Sequence, residues 1–288
     1  MGRNRKGWYE RKEIQKVTLD WVKMNCRLTE REKLLLQLIN DRKLVRRDHL
    51  EIICEPYRHA GKSRDRILNK SINKLFNSMC LDKIHEEQDL GRGNLPAIVA
   101  LDKGGSIFLN IPHKRRISQE RKIINNETYV FRSLPAYYRH VNGINQTEVD
   151  TILFCEDNDY QILEWKHEHS LSFHYGNEKI GLVPDIYTSI KIGKKNLFMF
   201  IEYDTGSENL RYKSEFPVLR DKIVKYKKYY GTELWKEYAT YFPVILFVTE
   251  DSKRIPYINT KLKEMKLRGL GAEPDMYTNV LERLAELC

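Results

Sequence analysis

Apolar residues recur at helical spacing in the first third of the chain. Leu34, Leu35, Leu38 and Ile39 follow Leu28-Thr29-Glu30-Arg31-Glu32, where Thr29 can cap and Glu32, three residues on, completes a capping-box pattern. A helix to Asn40 is predicted. A second, short helix fits Arg46 to Cys54 with Leu50 and Ile53 inward, and residues 55–62 read as a loop. A third helix runs from Ser63 to Met79, because Ile67, Leu68, Ile72, Leu75, Phe76 and Met79 keep the 3.6-residue period. Leu81–His85 and Ala97–Leu101 then read as two short strands around Gly91-Arg92-Gly93-Asn94, and Lys103-Gly104-Gly105 as a turn into Ile107–Leu109. Three helices followed by a hairpin predict a winged helix-turn-helix over 28–112.

Lys114-Arg115-Arg116 marks a basic linker, and residues 117–145 read as helical. The C-terminal half mixes elements. Strands are predicted at Thr151–Cys155, Tyr160–Trp165, Val183–Ile190, Leu197–Asp204 and Val244–Val248, and helices at 215–230, 257–267 and 276–287. Strands and helices interleaved in one segment predict an α/β layer architecture. The expected organisation is therefore a mixed α/β chain: a basic arm (1–27), the winged helix (28–112), a helical linker (113–147) and an α/β domain (148–288).

Charge changes this picture by separating the halves. Through Glu127 the chain has 28 Lys and Arg against 17 Asp and Glu, a net of +11; from Thr128 onward it has 22 against 23, a net of −1, which together give the +10 of the whole. Each cation that neutralises a phosphate releases condensed counterions, so the basic half is expected to hold double-stranded DNA in a salt-dependent way. On the polar side of the third helix stand Lys62, Arg64, Arg66, Lys70, Asn73 and Lys74, expected in the major groove, with Arg92 on the wing against the backbone. A winged helix used for protein docking, or a solvated basic surface, are the alternatives. Five scattered cysteines without a CxxC pair argue against a zinc ribbon and for a reducing, cytoplasmic compartment. No run approaches the roughly 20 apolar residues of a membrane span, so no membrane partner is expected. Winged helices often pair, which makes a homodimer an expected state, although no heptad seam is visible.

The chemistry-bearing segment is Val183-Pro184-Asp185 followed by Phe198-Met199-Phe200-Ile201-Glu202-Tyr203-Asp204-Thr205-Gly206. Side chains alternate along a strand, so Glu202 and Asp204 share a face with Phe198 and Phe200, while Leu197, Met199, Ile201 and Tyr203 take the other. A hairpin turning at Gly193-Lys194-Lys195-Asn196 brings Asp185 opposite this pair. Three converging carboxylates suit a hard cation such as Mg²⁺, with Asp185, Glu202 and Asp204 as metal ligands. Such an ion activates water for phosphodiester cleavage. In the next helix Leu219, Ile223, Tyr226 and Tyr230 form the inward stripe, and Lys222 borders it as a fourth catalytic candidate. On spacing alone the alternative is a strand end at Glu202 and Asp204 and a hairpin at Asp185.

Pro184-Asp185, the Glu202-x-Asp204-x-Gly206 block with Ser207-Glu208 after it, and Lys222-Ile223-x-x-Tyr226 resemble the replication-relaxation family of plasmid and mobile-element proteins. Phe242–Thr249 resembles its late core strand, and the likeness spans roughly 28–270. The resemblance implies a role in plasmid replication control, or in DNA relaxation during mobilisation, with replication or mobilisation proteins as partners. It also implies a C-terminal fold related to PD-(D/E)xK nucleases. On that pattern Asp185 matches the first acid and Glu202 the second. Asp204 stands where the usual lysine would be, and Lys222 would be that lysine in a migrated position. An active Mg²⁺-dependent nicking endonuclease, a core that does not cut and serves as a scaffold, and a winged-helix transcriptional regulator are the competing functions.

Three other patterns lead nowhere. Gly61-Lys62-Ser63 lacks the earlier glycine of a phosphate loop, since Pro56 holds that place. His167-Glu168-His169 has a charged middle residue where paired nuclease histidines need an apolar one, and is expected on an exposed polar hairpin. Tyr226-Lys227-Lys228-Tyr229-Tyr230 reads as helix packing with solvated lysines rather than as a source of a tyrosine nucleophile.

Overall fold

The computed structural model describes residues 17–85, 95–124, 127–206 and 216–288. Most of the expected basic arm, and Arg92, expected on a wing, lie outside the described residues. The chain divides into two compact units, Met1–Asn145 and Gln146–Cys288.

Unit 1 begins with α1 (Leu19–Asn25) and α2 (Glu30–Arg42). The capping box forms as expected: the Thr29 hydroxyl accepts from the Glu32 N–H at 3.3 Å, and Glu32 Oε2 accepts from the Thr29 N–H at 2.9 Å. The buried stripe of α2 is Leu35, Leu36 and Ile39, whereas Leu34, expected inside, is exposed. There follow β1 (Leu44–Arg46), α3 (Arg47–Ile53), α4 (Glu55–Arg58), a 3-10 turn at Gly61–Ser63 and α5 (Arg64–Asn77). The expected loop 55–62 thus carries a turn of helix, started by Pro56, whose lack of an N–H costs nothing at that position. β2 (Leu81–Ile84) and β3 (Ile98–Leu101) pair antiparallel, and β1 joins on the far side of β3. Leu35, Leu36, Ile39, Leu50, Leu68, Ile72, Leu75, Leu81 and Val99 close one core.

Two sequence expectations in this unit are corrected. Lys103-Gly104-Gly105 is the start of a helix, α6 (Lys103–Phe108), rather than a turn. The glycines permit it: a Cβ on Gly105 would stand 2.3 Å from the Cys80 carbonyl oxygen, and one on Gly104 2.7 Å from that of Met79. Residues 117–145 are not a continuous helix. They open as a hairpin, β4 (Ser118–Ile124) against β5 (Glu127–Ser133), and turn helical only at α7 (Tyr138–Asp157). Thr128-Tyr129-Val130-Phe131 is a run of strand-forming residues that outweighs the weak helical spacing. Gln119 and Arg132, on opposite strands of the hairpin, both reach the buried Asp82 of β2, at 3.0 and 3.5 Å. Residues up to Asn145 therefore cluster with unit 1 instead of forming a separate linker.

In unit 2 the mixed α/β class appears as expected. β6 (Gln161–His167), β9 (Ile186–Ile192), β10 (Lys195–Asp204), β11 (Val244–Thr249) and β12 (Gly269–Ala272) form one sheet in the order β12-β11-β10-β9-β6. A separate hairpin joins β7 (Leu171–Tyr175) to β8 (Glu178–Leu182). The β6, β9 and β10 pairings are antiparallel, and those of β10, β11 and β12 parallel. The helices are the second half of α7, α8 (Pro217–Thr232), α9 (Ile255–Glu264) and α10 (Tyr277–Glu286). Thr151–Cys155, expected as a strand, lies inside α7, where Val149, Ile152 and Cys155 are buried at helical spacing.

Both faces of β10 are buried, as a central strand requires. Phe198 and Phe200 pack with Leu219, Ile223 and Tyr226 of α8 and with Ile258 and Leu262 of α9. Met199 and Ile201 on the other face are also fully buried. Among the described residues no helix is long and apolar enough to cross a membrane.

Candidate active site

The alternation of β10 fixes where its acids go. Glu202 follows Phe198 and Phe200 onto the face covered by α8, where it is 2% exposed. Antiparallel pairing of Ile201 with Ile186 sets Asp185, the residue before β9, beside it. The Asp185 N–H donates to Glu202 Oε2 at 3.3 Å, and the Tyr203 N–H donates to Asp185 Oδ2 at 2.8 Å. The two carboxylates are therefore held by backbone as well as by side chains.

α8 supplies the rest. Pro217 starts this helix, and Lys222 sits in its second turn with Tyr226 one turn further on. Lys222 makes a close ion pair with Glu202 Oε2 and lies 3.9 Å from Asp185 Oδ1. The Tyr226 hydroxyl donates to Glu202 Oε1. Asp185, Glu202 and Lys222 thus meet at one point, and Tyr226, read from the sequence as packing alone, adds a polar contact to it.

Burial dominates the protonation of Glu202, pushing its carboxyl up to about 8; the Lys222 charge pulls it down and the Asp185 charge adds to the rise. Burial likewise holds the Tyr226 phenol well above its ordinary range, so it stays protonated and donates.

Asp204 is diverted from this cluster. Its carboxylate accepts from Arg254 Nη1 at 2.9 and 3.0 Å and from the Thr249 hydroxyl at 2.8 Å. Arg254, 1% exposed, also donates to the Gly206 carbonyl at 3.0 Å and lies over the Phe216 ring at 5.0 Å. Two same-face residues on a strand stand roughly 6.6 Å apart, enough for different elements to cover them. Glu202 lies under α8, and Asp204 under the turn into α9. Among the described residues no group of three acids, histidines or cysteines is disposed to hold a metal ion. Two carboxylates, Asp185 and Glu202, do come together, and a Mg²⁺ site usually takes one or two carboxylates from the protein. Sequence reasoning missed Arg254, because a buried arginine before a helix has no local signature.

His167 and His169 are half-buried, not exposed. His167 Nε2 lies 3.0 Å from Glu148 and accepts from the Trp165 indole at 3.1 Å, and His169 packs on Tyr187.

In unit 1 the proposed DNA-contact residues divide. Arg66 and Lys70 are exposed on one side of α5 and Lys62 on the 3-10 turn before it, and no acid among the described residues pairs with them. Asn73 is exposed and accepts from Lys83 at 2.8 Å. Arg64 faces Glu51 at 3.7 Å. Lys74 bonds Glu32 at 2.7 Å and the Arg27 carbonyl at 2.5 Å, tying α5 to the start of α2. Asn69 and Asn77, exposed on the same side, were not singled out from the sequence.

Two outcomes follow. The native Glu202 retains a proton that the unfolded chain has already lost at intermediate pH, so folding stability falls as pH rises from the ordinary glutamate range towards 8. Across that window Glu202→Gln should gain stability relative to the parent, as read by urea denaturation at several pH values; a difference independent of pH would contradict the burial effect. Arg254→Met leaves the mostly covered Asp204 without its fully buried cation and should cost about 3–5 kcal/mol in the same measurement. A loss below about 1 kcal/mol would show that the pair is not structural.

Comparisons with known proteins bear on this site. No curated protein matches the chain significantly. Two solved structures are similar, with TM-scores too low to carry any argument about fold or site. The restriction endonuclease FokI shows 12% identity over 89% of this chain and 44% of its own, at a TM-score of 0.30. FokI bound to DNA shows 13% identity over 92% of this chain and 49% of its own, at 0.29. The chain spans less than half the length of either. The replication-relaxation family model matches residues 36–245, a stretch that takes in α5 of unit 1 and Asp185, Glu202 and Lys222 of unit 2. The chain belongs to the replication-relaxation family.

Proposed function

We propose that this is a double-stranded-DNA-binding protein of plasmid or mobile-element replication or relaxation, with a Mg²⁺-dependent nicking site in its C-terminal unit. The observation that carries the catalytic half is the convergence of Asp185, Glu202 and Lys222 from two strands and a helix. This supports a PD-(D/E)xK-type core with its lysine moved to α8. Asp185 and Glu202 would hold the cation, which when bound activates water and stabilises developing phosphate charge. Lys222 is placed to orient the pair and to meet a phosphate oxygen. Tyr226 orients Glu202. Asp204 serves the fold through Arg254.

The order α2, α3, α5 and then the β2–β3 pair supports a winged helix in unit 1, with α5 as the groove helix. Arg66 and Lys70, with Lys62 on the turn before the helix, form its phosphate-facing band, and Arg64, Asn73 and Lys74 mainly hold the domain together. Four of the five free cysteines are buried, which supports a reducing, cytoplasmic setting.

One reading without cleavage has an observation in its favour. Asp204 stands where the PD-(D/E)xK pattern would have its lysine and is committed to Arg254, as expected of a scaffold. Supercoiled plasmid separates the two. With Mg²⁺ or Mn²⁺ the protein should convert it to the open circle, and Asp185→Ala or Glu202→Ala should reduce the rate by at least about 100-fold. No nicked product with any divalent cation would leave only the scaffold.

For the duplex contact, Arg66→Ala combined with Lys70→Ala should weaken binding and reduce the slope of log affinity against log salt by about two, one per lost phosphate contact. An unchanged slope would move the contact off α5.

A further inference from the structure

The end of α8 away from the candidate site carries a surface that the cleavage chemistry does not use. Lys222 is in its second turn, and Tyr230 lies eight residues on, roughly 12 Å along the axis. Tyr230 is 41% exposed, lies parallel to Trp235 at 6.2 Å, and has Lys227 over its ring at 4.9 Å. On the neighbouring flank Tyr175, at the tip of the β7–β8 hairpin, is 49% exposed. Its ring edge would stand 3.6 Å from a Cβ on Gly231, and Lys228 lies over it at 5.8 Å. Lys225 is exposed one turn before, and no acid among the described residues pairs with Lys225 or Lys227.

Half-exposed tyrosine rings keep apolar area that a partner can still bury. Here two of them flank one helix end, each with a lysine within reach. Phe242 meets Tyr230 at right angles at 5.1 Å, and the ring area left exposed on the two tyrosines offers stacking to a flat π-system, as the lysines offer charge to a polyanion's phosphates; both are satisfied together only by bases that are not already stacked in a duplex.

We propose that Tyr175 and Tyr230, with Lys225, Lys227 and Lys228, form a binding surface for single-stranded nucleic acid. The bases stack on the two rings and the phosphates take the lysines, which swing off the rings. Lys228 exchanges its exposed partner Glu178, 2.8 Å away, for phosphate; such surface pairs are weak. The surface lies beyond the proposed nicking site on the same helix, where a strand released by a nick would be held. Its existence does not depend on cleavage, because the binding is read without a divalent cation.

The test uses the full chain and a fluorescein-labelled oligo-dT of about 20 nucleotides, by anisotropy in EDTA at low salt. Tyr175→Ala with Tyr230→Ala should weaken oligo-dT binding about tenfold or more and leave affinity for a blunt duplex within about twofold. The Tyr→Phe pair, which keeps both rings, should bind as the parent does and shows that loss of stacking, not of fold, is being read. Parental affinity in the alanine variant, or an equal loss on single strand and duplex, would overturn the surface. Absence of plasmid nicking alongside tyrosine-dependent oligo-dT binding would remove the nicking proposal alone.

Discussion

A carboxylate buried in the middle of a sheet face organises unit 2. Glu202 occupies a position that the alternation of β10 would otherwise fill with another phenylalanine. An unpaired charge there would be prohibitively costly, so its surroundings must donate to it or let it keep a proton. Lys222, Tyr226 and the Asp185 N–H all do the former, and the upward displacement of its pKa reflects the latter. The register of β9 on β10 and the rotation of α8 about its axis are both tied to that one side chain. A carboxyl held in this way, buried beside a second acid, costs the fold stability wherever it must ionise.

The neighbouring acid shows how little separates a site from a structural pair. Glu202 and Asp204 are two residues apart on one face of one strand. Glu202 meets a helix that brings a flexible, partly exposed lysine; Asp204 meets a fully buried arginine that also takes the Gly206 carbonyl and the Phe216 ring. A guanidinium with several fixed partners is committed, whereas an ammonium on a flexible stem can be redirected by an incoming phosphate or cation. The geometry assigns adaptability to the first acid and rigidity to the second.

The same division recurs on α5. Its inward residues build the core, its flanking cations Arg64 and Lys74 are absorbed by Glu51 and Glu32, and the outermost band alone keeps its charge facing solvent. Total charge in the basic half is therefore a poor measure of what can grip a polyanion, because internal acids neutralise part of it.

The sequence by itself determined the elements whose apolar period is long and unbroken: α2 with its capping box, α5, β10, β11 and α8, together with the candidate acids and the lysine bordering the α8 stripe. It misread the places where local preference and context disagree. Thr151–Cys155 is rich in strand-forming residues but sits in a helix, because the wider spacing through Val149, Ile152 and Cys155 serves a helix face. β12, Gly-Leu-Gly-Ala, has no strand signature at all; Gly269 is there because a Cβ would stand 2.3 Å from the Ile245 carbonyl oxygen of the adjoining strand. Only the tertiary structure decided that Asp185 and Glu202 meet under Lys222 and Tyr226 while Asp204 turns to Arg254. Period-two alternation gives the face a side chain takes, but which helix covers that face, and with what partner, depends on contacts between residues far apart in the chain.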